Sequence, residues 1–280
     1  MHERYWEQND VALQGLLGQG RLITTPPHEE ALARLSYLVE HRGRFGLMLG
    51  PAGTGKSLVL NAAAHEAKRL GREVATIELF GIDSHDLLFQ LAVGLRLGPA
   101  GHWSHGTLWR AVRDHWHALH SARLPSVLLF DHLERAQADC LSMIERLLHL
   151  DVANDGGLTI LAAARAGHGQ LLFGELAEQS ELRIELPGLS RRETESFVRE
   201  LLDRTGHRRE VFQRDAAEAM FDLSGGVPRE IVRLCRLALA VAEHEDVHRI
   251  DSVMLLDVAS ELPRPTDQRP SREKMMATTW

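Results

Sequence analysis

The chain has 280 residues, a length that accommodates one large α/β domain and a smaller second one. Hydrophobic residues make up 44% of it and charged residues 25%, which excludes a mostly disordered protein. Acidic residues outnumber lysine and arginine by 39 to 32, and the net charge of −7 disfavours nonspecific nucleic-acid binding. The two cysteines, Cys140 and Cys235, form no CxxC pair, which excludes a disulfide framework and a zinc ribbon.

The ends of the chain have no pattern of a membrane span or a secretory signal. No run approaches the roughly 18 apolar residues that a spanning helix needs, and the first ten residues are polar and acidic. Residues 1–27 are expected to form an N-terminal arm. Residues 263–280, with three prolines, are expected to form a disordered tail. With two unpaired cysteines, these features predict a cytoplasmic protein.

Five short apolar runs predict buried parallel strands: Phe45–Leu49, Val74–Leu79, Val127–Phe130, Leu158–Ala163 and Leu182–Leu186. The amphipathic stretches between them predict helices: Glu29–Glu40, Lys56–Leu70, His85–Leu95, Leu108–His120, Cys140–Leu150 and Gly169–Glu178. This alternation predicts an α/β fold over residues 28–187, in which a parallel five-stranded sheet carries helices on both faces.

After Leu186 the strand pattern stops. Four helices are predicted in the remainder of the chain: Arg191–Arg204, Asp215–Leu223, Arg229–Glu243 and Ser252–Glu261. We therefore predict a small all-helical domain over residues 188–262, with the boundary at the turn Pro187-Gly188.

The clearest motif follows the first predicted strand and opens the next helix. It matches the pattern GxxxxGK[ST] in full, with Leu58 next in the chain: Gly50, Pro51, Ala52, Gly53, Thr54, Gly55, Lys56 and Ser57. Glycines let backbone N–H groups close around a phosphate, and the helix N-terminus adds partial positive charge. Lys56 is predicted to reach the β- and γ-phosphates, and the Ser57 hydroxyl to bind Mg²⁺. A glycine-rich turn that matches by chance would not account for the strand before it and the helix after it.

A second, acidic motif ends the third predicted strand. Val127–Phe130 is an apolar run followed by Asp131, the arrangement that holds Mg²⁺ beside a phosphate-binding loop. An aspartate at the end of a strand also caps the following helix in many proteins, and that alternative stays open. We predict that Asp131 and Ser57 together hold the metal.

With these motifs in place, residues 27–262 resemble AAA+ ATPases of the general secretion pathway A type, which are relatives of the transposition ATPases. The resemblance rests on the two motifs above and on three further segments: His28-Glu-Glu-Ala-Leu-Ala-Arg-Leu, Leu186-Pro-Gly-Leu-Ser-Arg-Arg-Glu-Thr-Glu and Ser224-Gly-Gly-Val-Pro-Arg229-Glu-Ile. It implies a sheet domain that binds ATP and Mg²⁺, and a helical domain that acts as its lid. It also implies self-association as a ring or filament, and action on a partner protein.

The resemblance also implies roles for arginines. Arg229 corresponds to the sensor arginine that reaches the γ-phosphate from the lid, and such a fixed charge can couple the number of phosphates to domain closure. A solvent-facing residue in the first turn of a helix is the alternative. Arg165, after the fourth strand, lies near the family's first sensor position, where another polar residue is usual. Arg183 is the candidate for an arginine that acts on a neighbouring subunit.

The chain departs from the family pattern in two places. His132 follows Asp131, where the resemblance implies a glutamate that polarises the attacking water. Glu134 lies two positions later and serves that role only if the backbone bends to aim it, so ATP hydrolysis is expected to be slow or to depend on a partner. The secretion proteins also continue into a membrane helix and a peptidoglycan-binding region, where this chain has its polar tail.

Three functions stay open on this basis. The first is an ATP-driven AAA+ enzyme that acts on a partner. The second is an ATP-dependent switch with negligible turnover, which His132 favours. The third is a DNA-associated ATPase of the transposition type, which the acidic balance disfavours.

Other patterns are explained more simply than by a separate site. Asp114, His117 and His120 share a face of one predicted helix, and we expect a solvated face rather than a metal site. The basic pairs of the predicted lid (Arg191 with Arg192, and Arg208 with Arg209) are interleaved with glutamates, which indicates a mixed solvated surface. Trp109 and Trp116 are seven residues apart, which favours core or subunit contacts over base stacking.

Overall fold

The computed structural model describes residues 23–152, 157–167, 173–205 and 211–262. The predicted tail lies outside the described residues, as does the predicted arm except for its last five residues. The first helix, α1 (Pro26–Glu40), begins with proline in its first turn, where the missing N–H is tolerated.

Five parallel strands form one sheet: β1 (Phe45–Gly50), β2 (Glu73–Glu78), β3 (Ser126–Asp131), β4 (Leu158–Arg165) and β5 (Leu182–Glu185). Their order is β2-β3-β4-β1-β5, so β1 lies inside the sheet with β4 and β5 on its two sides. All six residues of β1 are buried, as expected for a parallel strand that is covered on both faces. The predicted parallel five-stranded sheet is confirmed.

Helices connect the strands: α2 (Lys56–Arg69), α3 (Ser84–Gly94), α4 (His105–Ser121), α5 (Ala138–Val152) and α6 (Gly174–Glu178), with a 3₁₀ turn at Leu133–Arg135. Of the helix predicted over Gly169–Glu178, the described part begins at Gly174; residues 168–172 lie outside the described residues. Separate hydrophobic clusters pack on the two faces of the sheet. Trp109 and Trp116 are buried in one of them, which confirms their predicted place in the core.

The C-terminal helices are α7 (Arg191–Thr205), α8 (Arg214–Ser224), α9 (Pro228–His244) and α10 (Ser252–Glu261). They enclose a third hydrophobic cluster of their own, and Ile23 from the N-terminal segment packs into it. We call residues 188–205 and 211–262 the helical part.

The helical part joins the sheet at the phosphate loop. The Arg229 N–H donates to the Gly53 carbonyl of that loop at 3.2 Å. Within the helical part, the Leu189 N–H donates to the Gly226 carbonyl at 2.7 Å. Both cysteines are free and buried. In the part of the chain that the structure describes, every helix is too short or too polar to cross a bilayer.

Candidate nucleotide site

A cavity of about 760 Å³ lies between the carboxyl edge of the sheet and the helical part. Most of the site residues predicted from the sequence line it: Ala52, Gly53, Gly55, Lys56, Ser57, Leu58, Asp131, His132, Glu134, Arg165 and Arg229. Gly50, Pro51 and Thr54 belong to the same loop but are not among the residues that line the cavity. The structure therefore brings the two motifs and both predicted sensor arginines to one place.

The loop from Gly50 to Ser57 has the backbone that its glycines permit. Gly53 has φ of 85° and Gly55 has φ of 99°, both in the left-handed region that side chains disfavour. Gly55 is the N-cap of α2, so the helix begins at Lys56 with its free N–H groups beside the cavity. A Cβ on Gly53 would stand 2.8 Å from the Cβ of Arg229, so only glycine lets the helical part come this close.

Lys56 is folded onto its own loop. Its Nζ donates to the carbonyls of Gly50 at 2.9 Å and Pro51 at 2.7 Å. Burial lowers the pKa of this lysine, the carboxylates of Glu134 and Asp131 oppose that shift, and two nearby arginines add to it. The ammonium group is thus held among groups of both charges, with two loop carbonyls as its acceptors.

The segment after β3 bends sharply. His132 has φ of 59°, and the 3₁₀ turn of Leu133–Arg135 follows it. This bend turns Glu134 into the cavity, where its side chain is 9% exposed and its Oε2 accepts the Arg165 N–H at 3.0 Å. The backbone therefore has the bend that Glu134 needs in order to point into the cavity.

The ring of His132 lies between carboxylates. Its Nε2 is 3.7 Å from Oε1 of Glu78, and its Nδ1 is 3.6 Å from Oε1 of Glu134. The Asp131 carboxylate accepts the backbone N–H of His132 at 2.8 Å and faces the cavity. His132 therefore lies next to Glu134, one of the two carboxylates that act on the charge of Lys56.

The three predicted arginines have different surroundings. Arg165 ends β4 directly beside Gly50 of β1, and Arg229 lies in the first turn of α9 against the phosphate loop. Arg183 lies on the edge strand β5, exposed, with its guanidinium 3.8 Å from Glu185. Its predicted action on a neighbouring subunit stays a prediction.

Several cavity residues were not predicted from the sequence: Ile23, His28, Phe197, Leu201, Pro228, Val232, Arg233, Arg236, Leu237 and Leu262. Arg233 and Arg236 follow Arg229 by four and seven residues, which places them on the same face of a helix. This spacing would have predicted that they line the same site as Arg229. His28 was noted only within the motif before β1. Its contact with a loop 26 residues away has no local signal in the sequence.

Where the structure describes them, the residues of the patterns that were set aside do not line this cavity. Within the described ranges, one group of possible metal ligands converges, Asp83 with His85 and Asp86, and Asp114, His117 and His120 are not part of it. Arg191 forms an ion pair with Asp222 at 2.7 Å, as expected for a mixed charged surface. Arg208 and Arg209 lie outside the described residues.

Comparison with known proteins agrees with this geometry. Residues 39–172 match the family model described as "AAA domain". The chain is 28% identical over 233 residues to general secretion pathway protein A of Aeromonas hydrophila, a match that covers 82% of this chain and 42% of that protein. The resemblance predicted from the motifs is confirmed, and the chain spans less than half the length of this relative.

Solved structures give the same fold. Cdc6p from Pyrobaculum aerophilum superposes with a TM-score of 0.65 at 17% identity, over 82% of this chain and 65% of that one. The Aeropyrum pernix ORC1 protein, solved in complex with DNA, has a TM-score of 0.60 at 19% identity, over 85% of this chain and 66% of that one. At this identity the likeness shows the fold alone, and the predicted P-loop AAA+ fold is confirmed.

Proposed function

We propose that this chain is an ATP-binding AAA+ ATPase, in which ATP binding and slow hydrolysis drive self-association and action on a partner protein. One observation carries the proposal: the phosphate loop, two carboxylates and two arginines from separate elements surround a single cavity. Each of these groups has a task in the transfer of a phosphoryl group to water.

The residues present fit ATP with Mg²⁺. Among the described residues, five cations line the cavity against two carboxylates: Lys56, Arg165, Arg229, Arg233 and Arg236 against Asp131 and Glu134. This balance favours a polyphosphate. The Ser57 hydroxyl and the Asp131 carboxylate are oxygen ligands of the kind that Mg²⁺ prefers, and the ion, when bound, neutralises charge on the phosphates.

The apolar part of the cavity lining fits a nucleobase. Apolar side chains from the N-terminal segment, from α7 and α9 and from the residue after α10 form it: Ile23, Phe197, Leu201, Val232, Leu237 and Leu262. A flat aromatic base buries its faces well against such side chains. We propose that adenine lies there, with the phosphates extended toward Lys56.

Glu134 is the proposed group that orients the attacking water. Its carboxylate is fixed by the Arg165 N–H and faces the same cavity as Lys56. A positioned carboxylate that accepts a proton or hydrogen bond from water accelerates hydrolysis by about 10²–10⁴-fold. The Nδ1 atom of His132 lies 3.6 Å from Oε1 of Glu134, so the histidine competes with the attacking water for this oxygen. We therefore propose slow turnover.

Arg229 is the proposed link between nucleotide and helical part. Its backbone is bonded to Gly53 of the phosphate loop, and its side chain lines the cavity from α9. We propose residues 28–187 as the ATPase domain and residues 188–262 as its lid, which closes when the guanidinium meets the γ-phosphate.

The partner is proposed by class only. A ring or filament of copies of this chain is the proposed assembly, and a protein is favoured over nucleic acid because the net charge is −7. The two free, buried cysteines suit the reducing cytoplasm, where ATP is available. The contact between His132 and Glu134 favours one alternative, an ATP-dependent switch with negligible turnover.

Paired measurements of ATP affinity and phosphate release test the proposal. We expect saturable Mg-ATP binding and slow phosphate release that rises with protein concentration if assembly completes the site. Tight binding without release at any concentration identifies the switch. Absence of ATP binding refutes both functions.

A further inference from the structure

His28 lies beneath the phosphate loop, on the first turn of α1. It is 2% exposed, and both of its ring nitrogens have partners. Nδ1 is 2.6 Å from Oγ1 of Thr25, and Nε2 is 2.7 Å from the carbonyl oxygen of Thr54. Because a carbonyl oxygen only accepts, Nε2 carries the proton and donates it; in the neutral ring, Nδ1 accepts the Thr25 hydroxyl.

The bond to Thr54 also fixes the peptide that follows it. The Thr54 carbonyl and the Gly55 N–H belong to one planar trans peptide and point in opposite directions. When His28 holds the carbonyl, the Gly55 N–H is directed away from His28. The donors of a phosphate loop are such backbone N–H groups, and their orientation before the ligand arrives lowers the free-energy cost of binding.

Gly55 shows how closely the imidazole approaches the loop. A Cβ at this position would stand 2.5 Å from His28 Nε2, closer than side-chain atoms tolerate. Glycine is needed here both for this approach and for the φ of 99°. The His28 ring thus packs directly against the loop at Thr54 and Gly55, just before Lys56 begins α2.

We propose that His28 is a positioning residue of the phosphate loop. Its Nε2–H holds the Thr54 carbonyl so that the loop is set for phosphates before a nucleotide binds. This inference rests on the proposed ATP binding. It predicts that loss of the bond to Thr54 lowers the affinity for ligands that carry a β-phosphate. The affinity for adenosine should not change, because adenosine has no phosphate to place in the loop.

Two matched substitutions separate the two ring nitrogens. In His28→Gln the amide nitrogen reaches the position of Nε2 and keeps a donor for Thr54, whereas in His28→Asn the shorter amide lies where Nδ1 was and loses that bond. We expect His28→Asn to lower ADP and ATP affinity about tenfold, the effect of one neutral hydrogen bond. His28→Gln should remain within about threefold of the wild type, and adenosine affinity should not change in either variant.

The readouts distinguish positioning from a merely structural role. Equal loss of adenosine and ATP affinity, or equal effects of His28→Gln and His28→Asn, overturns the inference. So does unchanged ADP and ATP affinity in His28→Asn. A wild-type protein that binds no ADP or ATP refutes the proposed function instead, which is a separate result.

Thr25→Val decides the matter if His28→Asn does not fold. This substitution removes the hydroxyl that anchors Nδ1 and leaves the imidazole itself in place. A loss of ATP affinity with adenosine affinity retained supports the inference. Unchanged ATP affinity in a folded Thr25→Val protein contradicts it.

Discussion

The phosphate loop and the segment that ends β3 both line the cavity, and they follow their motifs to different extents. In the loop, each residue of the motif stands where the pattern predicts it, with Gly55 as N-cap and Lys56 opening α2. Asp131 ends β3 and lines the cavity, and the other carboxylate of the lining comes from Glu134 rather than from position 132. A loop built from backbone N–H groups depends on a fixed run of glycines. A single side chain can be supplied from another position if the backbone turns to deliver it.

Lys56→Ala tests the loop, and we expect the largest effect of all from it. Loss of charge-assisted bonds to two phosphates should lower ATP affinity about 1,000-fold without unfolding the protein, because the Lys56 ammonium packs against no core. Titration with a fluorescent ATP analogue measures this change. Lys68→Ala is the matched control, since Lys68 is exposed in the last turn of the same helix. Wild-type affinity in Lys56→Ala would show that the loop is not the phosphate site.

Glu134→Gln tests the segment that follows β3. We expect turnover to fall about 100-fold with ATP affinity retained, because the amide keeps the shape of the side chain and loses the basic oxygen. Phosphate release measures the effect, and His132→Glu should then add little. Glu78→Gln is the control, because Glu78 touches the same histidine from an exposed position. Equal turnover in the wild type and in Glu134→Gln would show that a residue other than Glu134 orients the attacking water.

Arg229→Ala tests whether the helical part responds to the loop. We expect ATP affinity to fall about tenfold, as for one charge-assisted hydrogen bond, and the ATP-dependent change in protease protection to disappear. Arg214→Ala serves as the control, since the Arg214 side chain is 94% exposed. A protection pattern that still responds to ATP in Arg229→Ala would remove this arginine from the sensor role.

A pair of substitutions at His132 tests the bend after Asp131, and we expect from it the smallest effect of these predictions. His132→Gly and His132→Ala both remove the imidazole, but only glycine adopts a φ of 59° without strain. We expect His132→Gly to have a free energy of unfolding about 1 kcal/mol higher than that of His132→Ala. Urea denaturation measures this difference. Equal stabilities would show that the turn after Asp131 relaxes in the alanine variant.

Local patterns predicted the sheet, the helices and the phosphate loop, because apolar periodicity and a glycine-rich motif are properties of short segments. The bend at His132 was not predictable in the same way. A histidine in the left-handed region has no sequence signature, and the sequence left Glu134 as a conditional candidate. His28 was missed because its partner Thr54 is distant in the chain, and a buried histidine is identified only once the fold brings the two together.

The most direct test of the account measures bound ATP and released phosphate in the same wild-type sample, over a range of protein concentrations. We predict saturable ATP binding with turnover below about 1 s⁻¹, at the slow end of the range for enzymes. Turnover well above that value would contradict the proposal that His132 slows hydrolysis by occupying the Glu134 carboxylate. Absence of ATP binding would contradict the assignment of the cavity itself.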